Sequence, residues 1–137
     1  MTNFENPSKK GPKKDETIEF SSFTVDVKIP SNPDDFVDLY SEEGGEFYID
    51  NLKEKDVMAI LKELDPKVLN TFKTKKSTTL KYRNLGRKIN FDIELSENGL
   101  SITGRNVKDE KDYGEYCHEF ELIGITADDW EKLKSLF

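Results

Sequence analysis

The chain has 137 residues, 34% hydrophobic and 36% charged, with 21 Lys and Arg against 28 Asp and Glu and a formal net charge of -7. That length fits one domain; no run of 18 apolar residues offers a membrane span, and the start MTNFENPSKKGPKK lacks the apolar stretch of a secretory signal. One cysteine, Cys117, allows neither an internal disulfide nor a multi-cysteine metal site, so the expected setting is reducing and cytoplasmic.

Residues 1–15 carry Pro7, Gly11, Pro12 and four Lys with only Phe4 as a large apolar group, and read as a flexible basic tail ahead of a domain over 16–137. From Thr17 to Ile29 the apolar positions Phe23, Val25, Val27 and Ile29 alternate, while Ile18 and Phe20 fall in the opposite phase. One strand with a bulge near Ser21 and Ser22 is expected. Asn32, Pro33, Asp34 and Asp35 have the order of a helix start, which predicts a short helix to about Ser41 burying Phe36, Val37 and Tyr40. Gly44 and Gly45 break it, and Phe47, Tyr48 and Ile49 form a short strand. Asn51 and Glu54 have capping-box spacing ahead of Val57, Met58, Ile60, Leu61 and Leu64 at helical intervals. Asp65 and Pro66 should end that helix and begin a further turn or two.

Beyond this the period changes from 3.6 to 2. Leu80 and Tyr82, then Ile89, Phe91, Ile93 and Leu95, alternate with polar residues about a turn at Gly86, which reads as a hairpin. Asn98-Gly99 predicts a second, type I′ turn into a strand with Leu100 and Ile102. After a polar loop over 106–112, a fourth strand places Tyr116, His118, Phe120 and Leu122 on one face. Thr126, with Asp129 three residues on, caps a last helix with Trp130 and Leu133 inward. The fold class expected is therefore α+β: a single domain with an amino-terminal β-α-β-α portion, a four-stranded antiparallel meander and a carboxy-terminal helix.

Charge is unevenly spread. Residues 15–66 carry fifteen acids against four Lys, whereas residues 67–91 carry eight bases and no acid. Two functional readings follow. In the first, the chain is a non-enzymatic protein-protein interaction module, an inhibitor, adaptor or assembly factor, whose acids Asp34, Asp35, Asp38, Glu42, Glu43 and Glu46 meet a basic partner. A sharper form has them imitate nucleic acid in the partner's phosphate-binding groove. In the alternative, Lys73, Lys75, Lys76, Lys81, Arg83, Arg87, Lys88 and Arg105 bind single-stranded nucleic acid. Against this, Lys81 and Arg83 could face Glu94 and Asp92 across a strand pair and be neutralised.

Catalytic equipment is sparse. Cys117 and His118 are adjacent on a strand and point to opposite faces, so they cannot form a nucleophile-base pair, and Glu115 and Glu119 would raise the thiol pKa. The Gly44-Gly45 pair lies among acids that repel phosphate. One histidine cannot supply a catalytic zinc, and Asp34, Asp35 and Asp38 lack EF-hand spacing. No enzyme, cofactor or metal is expected. Lys-rich, Arg-poor usage is compatible with a low-GC bacterium or its phage.

The run from Thr78 to Phe137, four strands and a helix with the phrase GITADDWEKLKSLF, resembles in element order the positive-cofactor-four family of single-strand DNA binders, whose glycine-bearing last strand leads into a helix of the Trp-x-x-Leu type, here Trp130 and Leu133. The resemblance implies a dimer with Lys81, Arg83 and Lys88 on its nucleic-acid face. It covers under half of the chain, and Glu115, Glu119 and Glu121 depart from it by making the fourth strand acidic.

Overall fold

A computed structural model describes residues 13–41, 46–84, 86–107 and 118–137, with the side chains of 118 and 119 left out of account. Eight strands form one antiparallel sheet: β1 (Lys14–Glu19), β2 (Thr24–Ile29), β3 (Asp38–Ser41), β4 (Phe47–Ile49), β5 (Thr78–Asn84), β6 (Arg87–Ser96), β7 (Gly99–Asn106) and β8 (His118–Ile125). Their spatial order is β1-β2-β3-β4-β8-β7-β6-β5. Among the described residues, helices α1 (Glu54–Thr74) and α2 (Ala127–Ser135) join this sheet in a small α+β domain.

The β-α-β-α layout does not occur, because two of its elements are different. The phase reversal between Ile18 and Phe23 is a reversal of the chain, not a bulge. β1 and β2 pair from Glu19↔Thr24 to Lys14↔Ile29, and Phe20 N–H closes the turn onto Phe23 O at 2.8 Å. No Gly, Asn or Pro marks this turn; the backbone N–H and hydroxyl of Ser21 both donate to Asp129 Oδ1 at 2.9 Å, so a helix far along the chain holds it. Residues 32–41 form no helix either. Asn32 caps a local turn, its Oδ1 accepting from Asp34 N–H at 3.0 Å, and the chain then alternates with Val37 and Leu39 buried and Asp38 and Tyr40 exposed. A strand of period 2 can bury those residues on one face where a helix cannot. β1 begins at Lys14, and residues 1–12, which hold most of the expected tail, lie outside the described residues. The last four strands do pair in succession, but they are half of one sheet that continues through the β4-β8 pairing.

α1 runs through Pro66 rather than stopping at it. An interior proline costs about 3 kcal/mol, yet Ile60, Leu61 and Leu64 before it and Val68 and Thr71 after it are all buried, and that continuous stripe outweighs the lost bond. The Asn51-Glu54 box is not formed; Lys53 is the N-cap, without a side-chain cap, and Asn51 takes a positive φ of 56°. The box expected at α2 is present in both directions, Asp129 N–H to Thr126 Oγ1 at 3.1 Å and Thr126 N–H to Asp129 Oδ2 at 3.0 Å. Asp65 joins the helices, accepting from Trp130 Nε1 at 2.8 Å and Lys134 Nζ at 2.9 Å. Burial alone raises the Asp65 pKa, but these two hydrogen bonds and the Lys134 charge together bring it below its ordinary value.

The two described helices cover one face of the sheet, and a single core results. It includes Val25, Val27, Leu39, Ile49, Phe91, Ile102, Phe120 and Leu122 from the strands, and Ile60, Leu64, Trp130 and Leu133 from the helices. The turn between β6 and β7 is centred on Glu97 and Asn98, one residue earlier than a type I′ Asn98-Gly99 turn, with Ser96 opposite Gly99. Only Gly99 there has positive φ, 117°. At Gly104 a Cβ would sit 2.5 Å from the Phe91 ring, which stacks edge-on against Phe120 at 5.4 Å. Gly104→Val should therefore destabilise by about 1–3 kcal/mol through overpacking, read as an earlier midpoint in urea unfolding followed by Trp130 fluorescence.

Candidate functional site: the open face of the sheet

The face that neither described helix covers is built by the polar phase of every strand. Successive pairings carry one row across the whole sheet: Thr17, Asp26, Tyr40, Tyr48, Glu121, Thr103, Asp92 and Thr79 are each opposite the next. A second row starts Asp15, Lys28, Asp38, and the same register brings Asp50, one residue past β4, beside Asp38. On β1–β4 Lys28 is the only base in this phase. Asp15, Thr17, Asp26, Lys28, Asp38 and Tyr40 border a groove of about 310 Å³. Tyr40 is 45% exposed there and offers the face of an aromatic ring among the acids.

Burial and neighbouring acids act in the same direction on two groups of this face. Burial, then Glu121, then Asp50 push the Tyr48 hydroxyl up to about 12. Burial and the adjacent Asp38 raise the Asp50 carboxyl above its ordinary value, and Asp50 Oδ1 is buried with no hydrogen-bond partner. Burial is the larger cause of both shifts, and the neighbouring acids add to it in the same direction.

The acids singled out from the sequence are only partly here. Asp38 is on this face and Glu46, just before β4, is exposed. Asp34 and Asp35 are exposed in the turn before β3, not in a helical turn, and Glu42 and Glu43 lie outside the described residues. Asp15, Asp26, Asp50, Glu121, Tyr40 and Tyr48 were missed. Alternation would have found Asp26 beside Val25 and Val27, but only the pairing of distant strands makes these residues neighbours.

The basic set divides three ways. Lys81, Arg83 and Lys88 are exposed on the open face at the β5 side; Lys81 is opposite Asn90 and Arg83 opposite Lys88, so the expected cross-strand neutralisation by Glu94 and Asp92 does not occur. Lys73, Lys75 and Lys76 lie at the other end of β5, where α1 ends on Lys75 with φ 62°. Arg105 shares the open-face row of Lys81 through Asn90 but pairs with Asp92 at 3.1 Å, and Arg87 is engaged elsewhere, donating to Asn51 O at 2.7 Å and pairing with Asp56 at 3.8 Å. The eight bases thus form no continuous patch.

A second groove, about 220 Å³, lies between the helices beside Met58, Leu61, Asp65, Lys134 and Phe137. Cys117 lies outside the described residues, as does the side chain of His118. Among the described residues no group of three or more His, Cys, Asp or Glu could hold a metal ion, and no helix is long and apolar enough to cross a membrane.

Asp50→Asn should raise the thermal midpoint at neutral pH. Because the folded pKa of Asp50 lies above its unfolded value, the ionised form is penalised in the native state; the penalty is absent below about 3.8, sets in as pH rises past that value, and is complete above the folded pKa. The gain from the amide should therefore vanish in acid, and an equal gain at all pH values would mean that charge is not its source.

Compared with protein-family models, with curated proteins and with solved structures, the chain matches none.

Proposed function

We propose that this chain is a non-enzymatic protein-interaction module and that the β1–β4 half of its open sheet face receives a basic partner. The observation that carries the reading is the arrangement of Asp15, Asp26, Asp38, Asp50 and Glu121 about Tyr40 and Tyr48, with Lys28 as the single base in the outer phase of those strands. Lys and Arg side chains entering this surface would exchange water for carboxylates, and a guanidinium could lie on the exposed Tyr40 ring. Rigid strands hold the acids at fixed spacing, which supports selectivity and fast, salt-sensitive association. An acidic lattice on a regular sheet is also compatible with imitation of a phosphate backbone.

The alternative, binding of single-stranded nucleic acid, is favoured by one observation: Lys81 and Arg83 are exposed and have no acid opposite them. Its platform is small, with Tyr82 and Phe91 buried away from it, so base stacking has no exposed ring on these strands.

One set of anisotropy titrations separates the two, using a labelled Lys/Arg-rich peptide and labelled single-stranded and duplex oligonucleotides at about 50 and 200 mM salt. The peptide should bind, more weakly at the higher salt, and the double charge reversal Asp26→Lys with Asp38→Lys should weaken it at least tenfold with an unchanged circular dichroism spectrum. Salt-sensitive oligonucleotide binding that disappears in Lys81→Glu with Arg83→Glu, with no peptide binding, would replace this reading by the alternative.

A further inference from the structure

We propose that the two free edges of the sheet are complementary to each other, so that a second copy of this chain adds its β1 to β5 of the first, head to tail. No described strand pairs with the outer side of β1 or of β5, which leaves edge amides and carbonyls of both without a ladder partner. Exposed strand edges are usually protected by charge, and here the protection has opposite sign at the two ends. β1 presents exposed Asp15, Glu16 and Glu19, while β5 presents exposed Lys81 and Arg83, and no acid occurs on β5 at all. Pairing β1 with β1, or β5 with β5, would place like charges side by side; pairing β1 with β5 places acids beside bases.

The other face of the same edges is consistent with that union. Ile18 on β1 and Leu80 on β5 are half-buried, each packed against the core at its own margin. Joining the edges with the helix-covered faces aligned would bring these side chains together and remove their remaining surface from water. At the same time Asp15 and Glu19 would meet Lys81 and Arg83 on the open face, because both pairs occupy the outer phase of their strands. The interface uses two different surfaces of one molecule and is therefore heterologous, generating a series of oligomers or a ring and not a closed two-fold dimer. The net charge of -7 opposes association at long range, but at about 0.1 M salt the Debye length is near 10 Å, so adjoining edge charges dominate over the repulsion between whole molecules.

The test is sedimentation velocity of the full chain over a concentration series at about 0.1 M and about 1 M salt, with hydrogen exchange on the same samples. Concentration-dependent species beyond a dimer at the lower salt, suppressed at the higher, are expected, together with slowed exchange confined to residues 14–19 and 78–84. Asp15→Lys with Glu19→Lys, and separately Lys81→Glu with Arg83→Glu, should each weaken association at least tenfold. An equimolar mixture of the two variants should recover it, since each then offers edges of the sign the other needs. A wild-type chain that stays monomeric throughout, or a mixture no better than its components, overturns the proposal. Asp15 borders the surface assigned to the basic partner, so the Lys81→Glu with Arg83→Glu variant, which leaves every acid of that surface in place, is the arm that separates failure of edge pairing from failure of partner binding: it should lose association and still bind the Lys/Arg-rich peptide.

Discussion

The pairing of β4 with β8 is the constraint on which the rest of the structure depends. It rests on three residue pairs, Phe47↔Leu122, Tyr48↔Glu121 and Ile49↔Phe120, yet it turns two four-stranded antiparallel units into one sheet. Its partners are more than 70 positions apart in the chain, so the entropy of closing that loop must be offset by what the seam lets the molecule bury. Phe47 and Ile49 on one side and Phe120 and Leu122 on the other are almost wholly inaccessible. Without the seam, α1 and α2 would have no common surface to cover.

Two carboxylates secure the layers above that seam. Asp129 closes the capping box of α2 and takes both donors of Ser21, which ties the β1-β2 turn to the helix start. Asp65, in the middle of α1, takes Trp130 and Lys134 of α2. In each case a side chain that reads locally as a helix cap or helix stop is satisfied by a residue from a remote segment. Burying such a group unpaired would cost several kcal/mol, whereas the paired group fixes one relative placement of the elements.

The same seam creates the polar face. Tyr48 and Glu121 are neighbours only because β4 meets β8, and Asp50 lies beside Asp38 only because β3 pairs with β4. The acids of the first half of the chain therefore collect at one end of a continuous surface and the bases of β5 and β6 at the other. Burial, and then the neighbouring Asp38, penalise the ionised Asp50 carboxyl at the acidic end.

What could be read from the sequence was whatever depends on near neighbours. Period-2 alternation located β6 and β7, helical spacing located α1 over its first three turns, and Thr126 with Asp129 marked the start of α2, because each of these signals is closed within a few residues. Hydrophobic phase also gave the inward residues of β6 through β8 that lie among the described positions. The helix expected at Asn32, the stop expected at Pro66 and the bulge expected at Ser21 failed for one reason: local propensity is worth about 1–3 kcal/mol at such sites, and burial of Val37 and Leu39, of Leu64 and Val68, and the bond from Ser21 to Asp129 outweigh it. The order of the strands, the opposition of Lys81 to Asn90 and the gathering of Asp26, Asp38 and Asp50 were decided by tertiary structure alone. They depend on which distant strands pair, and no periodicity within a strand carries that information.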